Sequence, residues 1–381
     1  MSKFRDAITF NSLKTFIMPW YNDLRPVSDD GKIDYSLVFP DLKNTERKRI
    51  IQDILDLRED LDLKVPEKNS DRSVLLASWN IKEFGHLNER LPDSYFFIAE
   101  IINRFDIVAI QEVKSKLDDL FIIMRLLGKN WSYIITDITE GHAGNKERFA
   151  YIFDTRKVNT SGLSGEIVLW DTLTQNSTVK QLKRTPAITG FTAGWKSFSL
   201  INVHFQPKKK ANDIRKEEVD LLMAAIKEKL KRKHFWNENL IMLGDTNLYK
   251  TDGDIVDVIT KSNFFEAESL KGKVTNVSET EVYDRIFLNV NKKYFHLEKD
   301  ENGKDIGNVF KPFESVYSEE KRHFYHDYML AHKDDPSTLT SDAKFKSYYH
   351  QYWKRNQLSD HNLVWIEFTI DSTNAFLKSK L

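Results

Sequence analysis

Cysteine is absent from all 381 residues. That excludes a disulfide framework, a thiolate metal site and a cysteine nucleophile. Net charge is absent as well: 57 Lys and Arg offset 57 Asp and Glu. The chain is no bulk polycation, so any affinity for nucleic acid has to be local. No window approaches the run of about 18 apolar residues that a membrane span needs. The opening MSKFRDAITFNSLKTF also lacks the apolar stretch and small-residue cleavage site of an export signal. The expectation is an intracellular, cytoplasmic, soluble protein with no membrane partner. Internal repeats and low-complexity tracts are missing too. What the chain has is core material: 40% hydrophobic residues, with 25 Phe, 14 Tyr and 8 Trp. Length alone suggests two or three domains of about 150 residues, although α/β sandwiches run to roughly 250 as one.

Residues 1–72 read as an N-terminal extension. Ile50, Ile54, Leu57 and Leu61 recur at helical spacing, so a helix is expected near 44–63, capped by Asn44 or Thr45 with Glu46 in its first turn. Docking on the neighbouring domain is the expected role of that helix. From Ser73 the pattern changes to short apolar runs. Strands are expected at Val74–Ile81, Ile107–Val113, Tyr133–Ile138, Phe149–Phe153, Phe198–Phe205, Leu240–Gly244, Val282–Leu288 and Leu363–Thr369. Helices are expected near Ser94–Phe105 and Asp213–Lys233, the second with a lysine-rich solvated face. Strands outnumber helices, which indicates α/β with antiparallel character. Residues 291–350, polar and aromatic, look like an insertion between the last two core strands, and 372–381 form a tail.

The side chains able to do chemistry sit at the ends of the expected strands. Asn80 ends the first and Glu112 the second. Glu147 opens the strand around Tyr151, and His204 follows Ile201-Asn202-Val203. Asp245 and Asn247 lie two residues apart after Leu240–Leu243. Asp284 sits within a strand, and Asp360-His361 precedes the last one. Singly, each has a structural explanation, such as turn formation by Asp and Asn. Together they supply hard oxygen ligands, which suit Mg²⁺ or Mn²⁺ and not zinc. They also supply two histidines with acids to orient them. That inventory matches phosphodiester hydrolysis.

The order of motifs resembles the endonuclease/exonuclease/phosphatase superfamily from Ser73 to about Thr369, and within it the deoxyribonuclease I branch. The segments are VLLASWNIKEFG, DIVAIQEVK, NKERFAYIF, KRTPA, VHFQP, LGDTN, VYDRIF and SDHNLV, in that order. The resemblance implies a four-layer α/β sandwich of two packed mixed sheets, carrying the active site at one edge. It implies Glu112 as principal metal ligand with Asn80 and Asp360. Asp245 and Asn247 would bind the scissile phosphate, the water or a second metal. His204 with Glu147, and His361 with Asp284, would be the acid/base couples, and Arg184 would contact phosphate. Where the pancreatic type has a DNA-contacting tyrosine, this chain has Asn145.

The leading expectation is a metal-dependent endonuclease acting on DNA, with RNA also open. A phosphatase or phospholipid phosphodiesterase of the inositol-phosphate or sphingomyelinase type is the alternative, and a catalytically dead binding module is a third. Lys208-Lys209-Lys210, directly after the His204 loop, offer local phosphate contacts, with Lys209 as the chosen binding residue. Neither residues 1–72 nor 291–350 is covered by the resemblance. Both are candidates for gating the site or binding a regulatory partner, against the plainer role of a brace.

Overall fold

The strands alternate with period two, and the alternation sorts their side chains into separate cores. In the computed structural model, which describes residues 19–25, 37–69, 71–85, 87, 90–139, 146–208, 213–232, 237 and 239–381, β1 (Ser73–Phe84) sends Leu75, Ala77, Trp79 and Ile81 to one side and Val74 and Leu76 to the other. In β2 (Ile107–Val113), Val108 and Ile110 face outward while Ile107 and Ala109 face inward. The first sheet is completed by β3 (Trp131–Ile135) and β4 (Arg148–Asp154). The second sheet holds β5 (Asn159–Glu166), β6 (Ala187–Ala193), β7 (Lys196–His204), β8 (Leu240–Asp245), β9 (Phe265–Glu266) and β10 (Asp284–Asn289). The chain then returns to the first sheet with β11 (Gly307–Phe310) and β12 (Leu363–Thr369). Strand orders are β11-β12-β1-β2-β4-β3 and β5-β6-β7-β8-β10-β9, both mixed.

The inner faces of the two sheets meet in one core, with Leu200, Ile241 and Leu243 opposite Leu76, Ile107 and Val364. Tyr151 crosses that core, its hydroxyl donating to Ala187 O and Leu200 O of the second sheet. Helices cover both outer faces. The chain has α1 (Asn44–Lys64), α2 (Pro92–Asn103), α3 (Asp118–Leu127), α4 (Asp171–Thr174), α5 (Arg215–Lys231), α6 (Gly253–Lys261), α7 (His326–His332), α8 (Asp342–Tyr348), α9 (Lys354–Gln357) and α10 (Thr373–Lys378). Helices α5 and α6 close the second sheet through Val219, Leu222, Ile226 and Ile259. Helices α1 to α3 share a core with the outer face of the first. This is the α/β sandwich. No described helix is long and apolar enough to cross a membrane.

Differences from the sequence expectations are local. Helix α1 starts at Asn44, so Asn44 and Thr45 are inside it; Glu46 Oε2 accepts the Lys43 backbone N–H instead. Residues 291–350 do more than interrupt: they contribute β11, paired with β12 from Gly307↔Ile366 to Phe310↔Leu363. Beyond β11 this segment packs on α1 and α2. Tyr325 donates to Asp93 of α2, which Arg49 of α1 binds at 2.7 Å, Lys321 binds Asp53 at 2.7 Å, and Tyr328 donates to Glu46. The strands β5, β6, β9 and β11 and the helices α3, α4 and α6 to α10 carry no sequence expectation.

Candidate active site

Two irregularities in the first sheet create the site. The β1–β2 register runs evenly to Asn80↔Gln111 and resumes at Phe84↔Val113, and the β2–β4 register shifts between Ile110 and Val113. Both bulges fall around Glu112, which adopts φ 62°. A bulge re-aims a side chain, and a left-handed backbone at a bulky residue is strain of the kind that concentrates at functional sites. Glu112 Oε2 accepts the Glu83 N–H at 3.0 Å, and Oε1 accepts from Asn80 Nδ2 at 3.2 Å. Lys146 (φ 54°) and Asn247 (φ 46°) share the left-handed backbone beside other members of the set.

The second sheet places its residues by register. His204 lies opposite Asp245 in the parallel β7–β8 pair, and Asp284 lies opposite Asp245 in the antiparallel β8–β10 pair. Gly244 permits this. Its φ is 135°, and a Cβ there would stand 2.0 Å from Val203 O. The sheets are clamped near the site by Gln111 Nε2, which donates to Asn202 Oδ1 at 2.7 Å.

Asp245 is the centre. Its Oδ2 lies 3.2 Å from His204 Nε2 and 3.8 Å from His361 Nε2, and accepts from Asn80 Nδ2 at 3.0 Å. Each histidine is backed by a second carboxylate. His204 Nδ1 is 3.0 Å from Glu147 Oε2, and His361 Nδ1 donates to Asp284 Oδ2 at 2.8 Å. Burial disfavours a charged imidazole, yet Asp245 and Glu147 outweigh it and hold His204 up at about 9. Asp284 and Asp245 likewise hold His361 well above the ordinary histidine range against its burial. Burial would raise Glu147, but His204, Arg184 and Lys114 bring it down to about 2. Asp245 is held below the usual carboxylate range by the two histidines in spite of complete burial. Asp284 goes the other way, raised by burial.

Neighbouring elements position this set. Ser359 Oγ donates to Asn80 O at 2.6 Å and accepts the N–H groups of Lys82 and His361. Trp79 Nε1 donates to His361 O at 3.0 Å. Arg90, fully buried at its side chain, ties Gln357 O of α9 to Lys82 O at the exit of β1 and pairs with Asp119. Arg215 donates to Asn247 O at 2.7 Å and fixes the turn after β8.

Of the residues expected from sequence, Asn80, Glu112, Glu147, His204, Asp245, Asp284 and His361 converge. Arg184 lies inside the set, its Nε 3.0 Å from Glu147 Oε2. The Asn247 side chain is turned to Phe205 O, to which it donates at 2.9 Å. Asp360 adjoins His361 and contributes to its raised affinity for a proton. It belongs to neither of the two groups with metal-ligand spacing found among the described residues, Glu112–Glu147–His204 and Asp245–Asp284–His361. Lys209 and Asn145 lie outside the described residues. Lys114, 3.2 Å from Glu147 Oε1, went unread in the sequence; its position two residues after the Gln-Glu pair was the available signal.

A divalent cation fits this corner. Asn80 Oδ1 is buried with no hydrogen-bond partner, its amide nitrogen being spent on two carboxylates. Beside it stands Glu112, and the donors are all hard oxygens.

No protein-family model matches the chain. It is similar to deoxyribonuclease gamma of Rattus norvegicus, 23% identical over 185 residues, covering 46% of this chain and 56% of that protein. The human protein of the same name is 24% identical over 190 residues, covering 47% and 58%. The chain thus spans a little over half the length of the curated relatives it matches. Among solved structures, an endonuclease/exonuclease/phosphatase family protein from Bacteroides thetaiotaomicron gives a TM-score of 0.49 at 17% identity, covering 78% of this chain and 98% of that one. TDP2 of D. rerio, complexed with single strand DNA product, gives 0.47 at 15% identity, covering 78% and 98%. The human Nocturnin catalytic domain gives 0.47 at 13% identity, covering 80% and 96%.

Proposed function

We propose that this protein is a Mg²⁺- or Mn²⁺-dependent endonuclease that hydrolyses phosphodiester bonds in DNA. The observation that carries the reading is Asp245, fully buried between two histidines that each lean on a carboxylate of their own. This set has what in-line displacement at phosphorus needs: cationic donors facing the phosphate and a carboxylate corner for a metal. The likeness to proteins named deoxyribonuclease gamma supports DNA as the polymer. A chain without cysteine suits the reducing cytoplasm.

Glu112 and Asn80 would hold the cation, with Asp360 as the further candidate ligand. Bound there, it supplies charge that polarises the phosphoryl oxygen. The chain's own groups do the rest. His204 and His361 divide the proton traffic: one, in the minority neutral form that its raised proton affinity leaves at neutral pH, takes the proton of the attacking water, and the other, protonated, gives one to the leaving oxygen. Glu147 and Asp284 fix their ring orientation and tautomer. Asp245 and Asn247 orient the water and the phosphate between them, and Arg184 and Lys209 add positive charge towards the backbone.

Incubation with supercoiled plasmid and Mg²⁺, with and without chelator, tests the reading. Glu112→Gln should lose at least about a hundredfold in nicking rate, as expected for lost metal stabilisation, with an unchanged circular-dichroism spectrum. Full turnover in excess chelator would falsify the metal assignment. Turnover of an inositol phosphate or sphingomyelin with none on plasmid would replace the nuclease reading by the phosphatase or lipid one.

A further inference from the structure

The segment between β11 and β12 ends in a nearly continuous helical run: α8, a π-type turn over Tyr349–Trp353, then α9. Its inner side is buried, with Phe345, Tyr349 and Trp353 packed into the core beneath α1 and α2. Its outer side carries Lys344, Tyr348, Tyr352 and Arg355. The wider π turn, a feature that recurs at functional sites, brings the rings of Tyr348 and Tyr352 into a stack 6.1 Å apart at 26°. Tyr352 is 58% exposed. Lys333 from α7's end sets its ammonium 4.7 Å above the Tyr348 ring.

Three cations of this face stand outside the local ion pairs. Glu319 is engaged by Arg322, Lys346 and His350, and Asp342 by Arg322. No carboxylate among the described residues pairs with Lys333, Lys344 or Arg355. The stripe also runs into the catalytic cleft. Arg355 donates to Ser278 Oγ at 3.0 Å, in the turn where Asn276 bridges His361 and Val277 donates to Asp360 O. From Tyr348 to Arg355 the helical rise is about 10 Å, so two stacked rings and three unpaired cations lead away from the proposed scissile position.

We propose that this stripe binds the single-stranded flank of a nucleic-acid substrate, its rings stacking on bases and its cations tracking the phosphates. Exposed aromatics interleaved with cations are what single strands use: every base offers a π face, and the backbone needs charge. A duplex, whose bases are already stacked internally, would have no use for the tyrosines. The proposal rests on the nuclease reading for its substrate class and adds the strandedness and the path.

Fluorescence anisotropy in excess chelator tests it on the full chain, with labelled oligonucleotides of about twelve nucleotides in DNA and RNA versions, and a DNA duplex. Tyr352→Ala and Tyr348→Ala should each weaken single-strand binding about tenfold, while Tyr352→Phe keeps the affinity. Lys344→Gln should lower the salt slope by roughly 0.7, and duplex binding should be unaffected by either tyrosine. Equal affinities for wild type and Tyr352→Ala on both single strands overturn the stripe. So does a tyrosine effect confined to the duplex. If plasmid is not cut, the catalytic reading falls while the anisotropy still decides the stripe.

Discussion

His204 Nε2 lies 3.2 Å from Asp245 Oδ2, directly across the β7–β8 register, with both residues buried. A charge-assisted contact made by facing backbone positions is held by the sheet itself, so its geometry does not depend on loop conformation. It also ties protonation to the fold.

The pH dependence of stability follows from that tie. The imidazole of His204 is raised from 6.5 to about 9 in the folded protein. Its contribution is therefore fully present below pH 6.5 and disappears as pH rises through about 9. Glu147, lowered from 4.5 to about 2, contributes above pH 4.5 and loses that contribution as pH falls through about 2. Urea unfolding in chelator between neutral and alkaline pH should show stability falling, and His204→Gln should flatten the fall. An unchanged slope in the variant would remove His204 as its source.

Loss of either histidine should be costly and the losses should overlap. His204→Ala and His361→Ala are each expected to lower kcat by about 10²–10⁴, with the double variant far from the product of the two. A substrate with a much better leaving group should restore only the variant that lost the acid. Restoration of neither would make both rings electrostatic stabilisers.

The contact of Arg49 with Asp93 is a structural prediction of its own. Asp93 is 2% exposed and also receives the Tyr325 hydroxyl, so it joins α1, α2 and the segment after β11. Replacing one partner leaves a buried charge alone. Arg49→Ala should cost about 3–5 kcal/mol in equilibrium unfolding, and Arg49→Ala with Asp93→Ala should cost less than the sum of the two single changes. Additive losses would show that the pair is not coupled.

Gly244→Ala probes the approach of β8 to β7. The added methyl would meet Val203 O at 2.0 Å on a backbone of φ 135°. Loss of folded protein, or a severely lowered Tm with abolished activity, is expected. A variant with wild-type Tm would mean that the strands part easily.

Much of this arrangement is legible in the sequence, for identifiable reasons. Strand β2 is readable to the residue because IVAIQEV is bounded by Asp106 and Lys114. Strand β5, NTSGLSGE, is an edge strand, largely exposed, and exists through pairing with β6 and not through burial. Helix α3, DDLFIIMRLL, carries an apolar run that would suit a strand equally well. At the site, residue types announce themselves in order because carboxylates and histidines at strand ends have few other uses together. The pairing of Arg184 and Lys114 with Glu147 depends on how β4, β2 and the segment before β6 converge, and local pattern cannot encode that convergence.

The pairing of β1 with β12 has a consequence in time. Ser73 faces Thr369, and Asn80 receives Ser359 from 279 residues further along the chain. Contacts so distant in sequence are made late, because the closure of the long intervening loop has to come before their reward. During synthesis, strands β1 to β10 emerge with most of the chemical groups already present, yet His361 and β12, the strand it precedes, arrive only after them. The nascent chain is therefore expected to stay inert until β12 has joined the sheet.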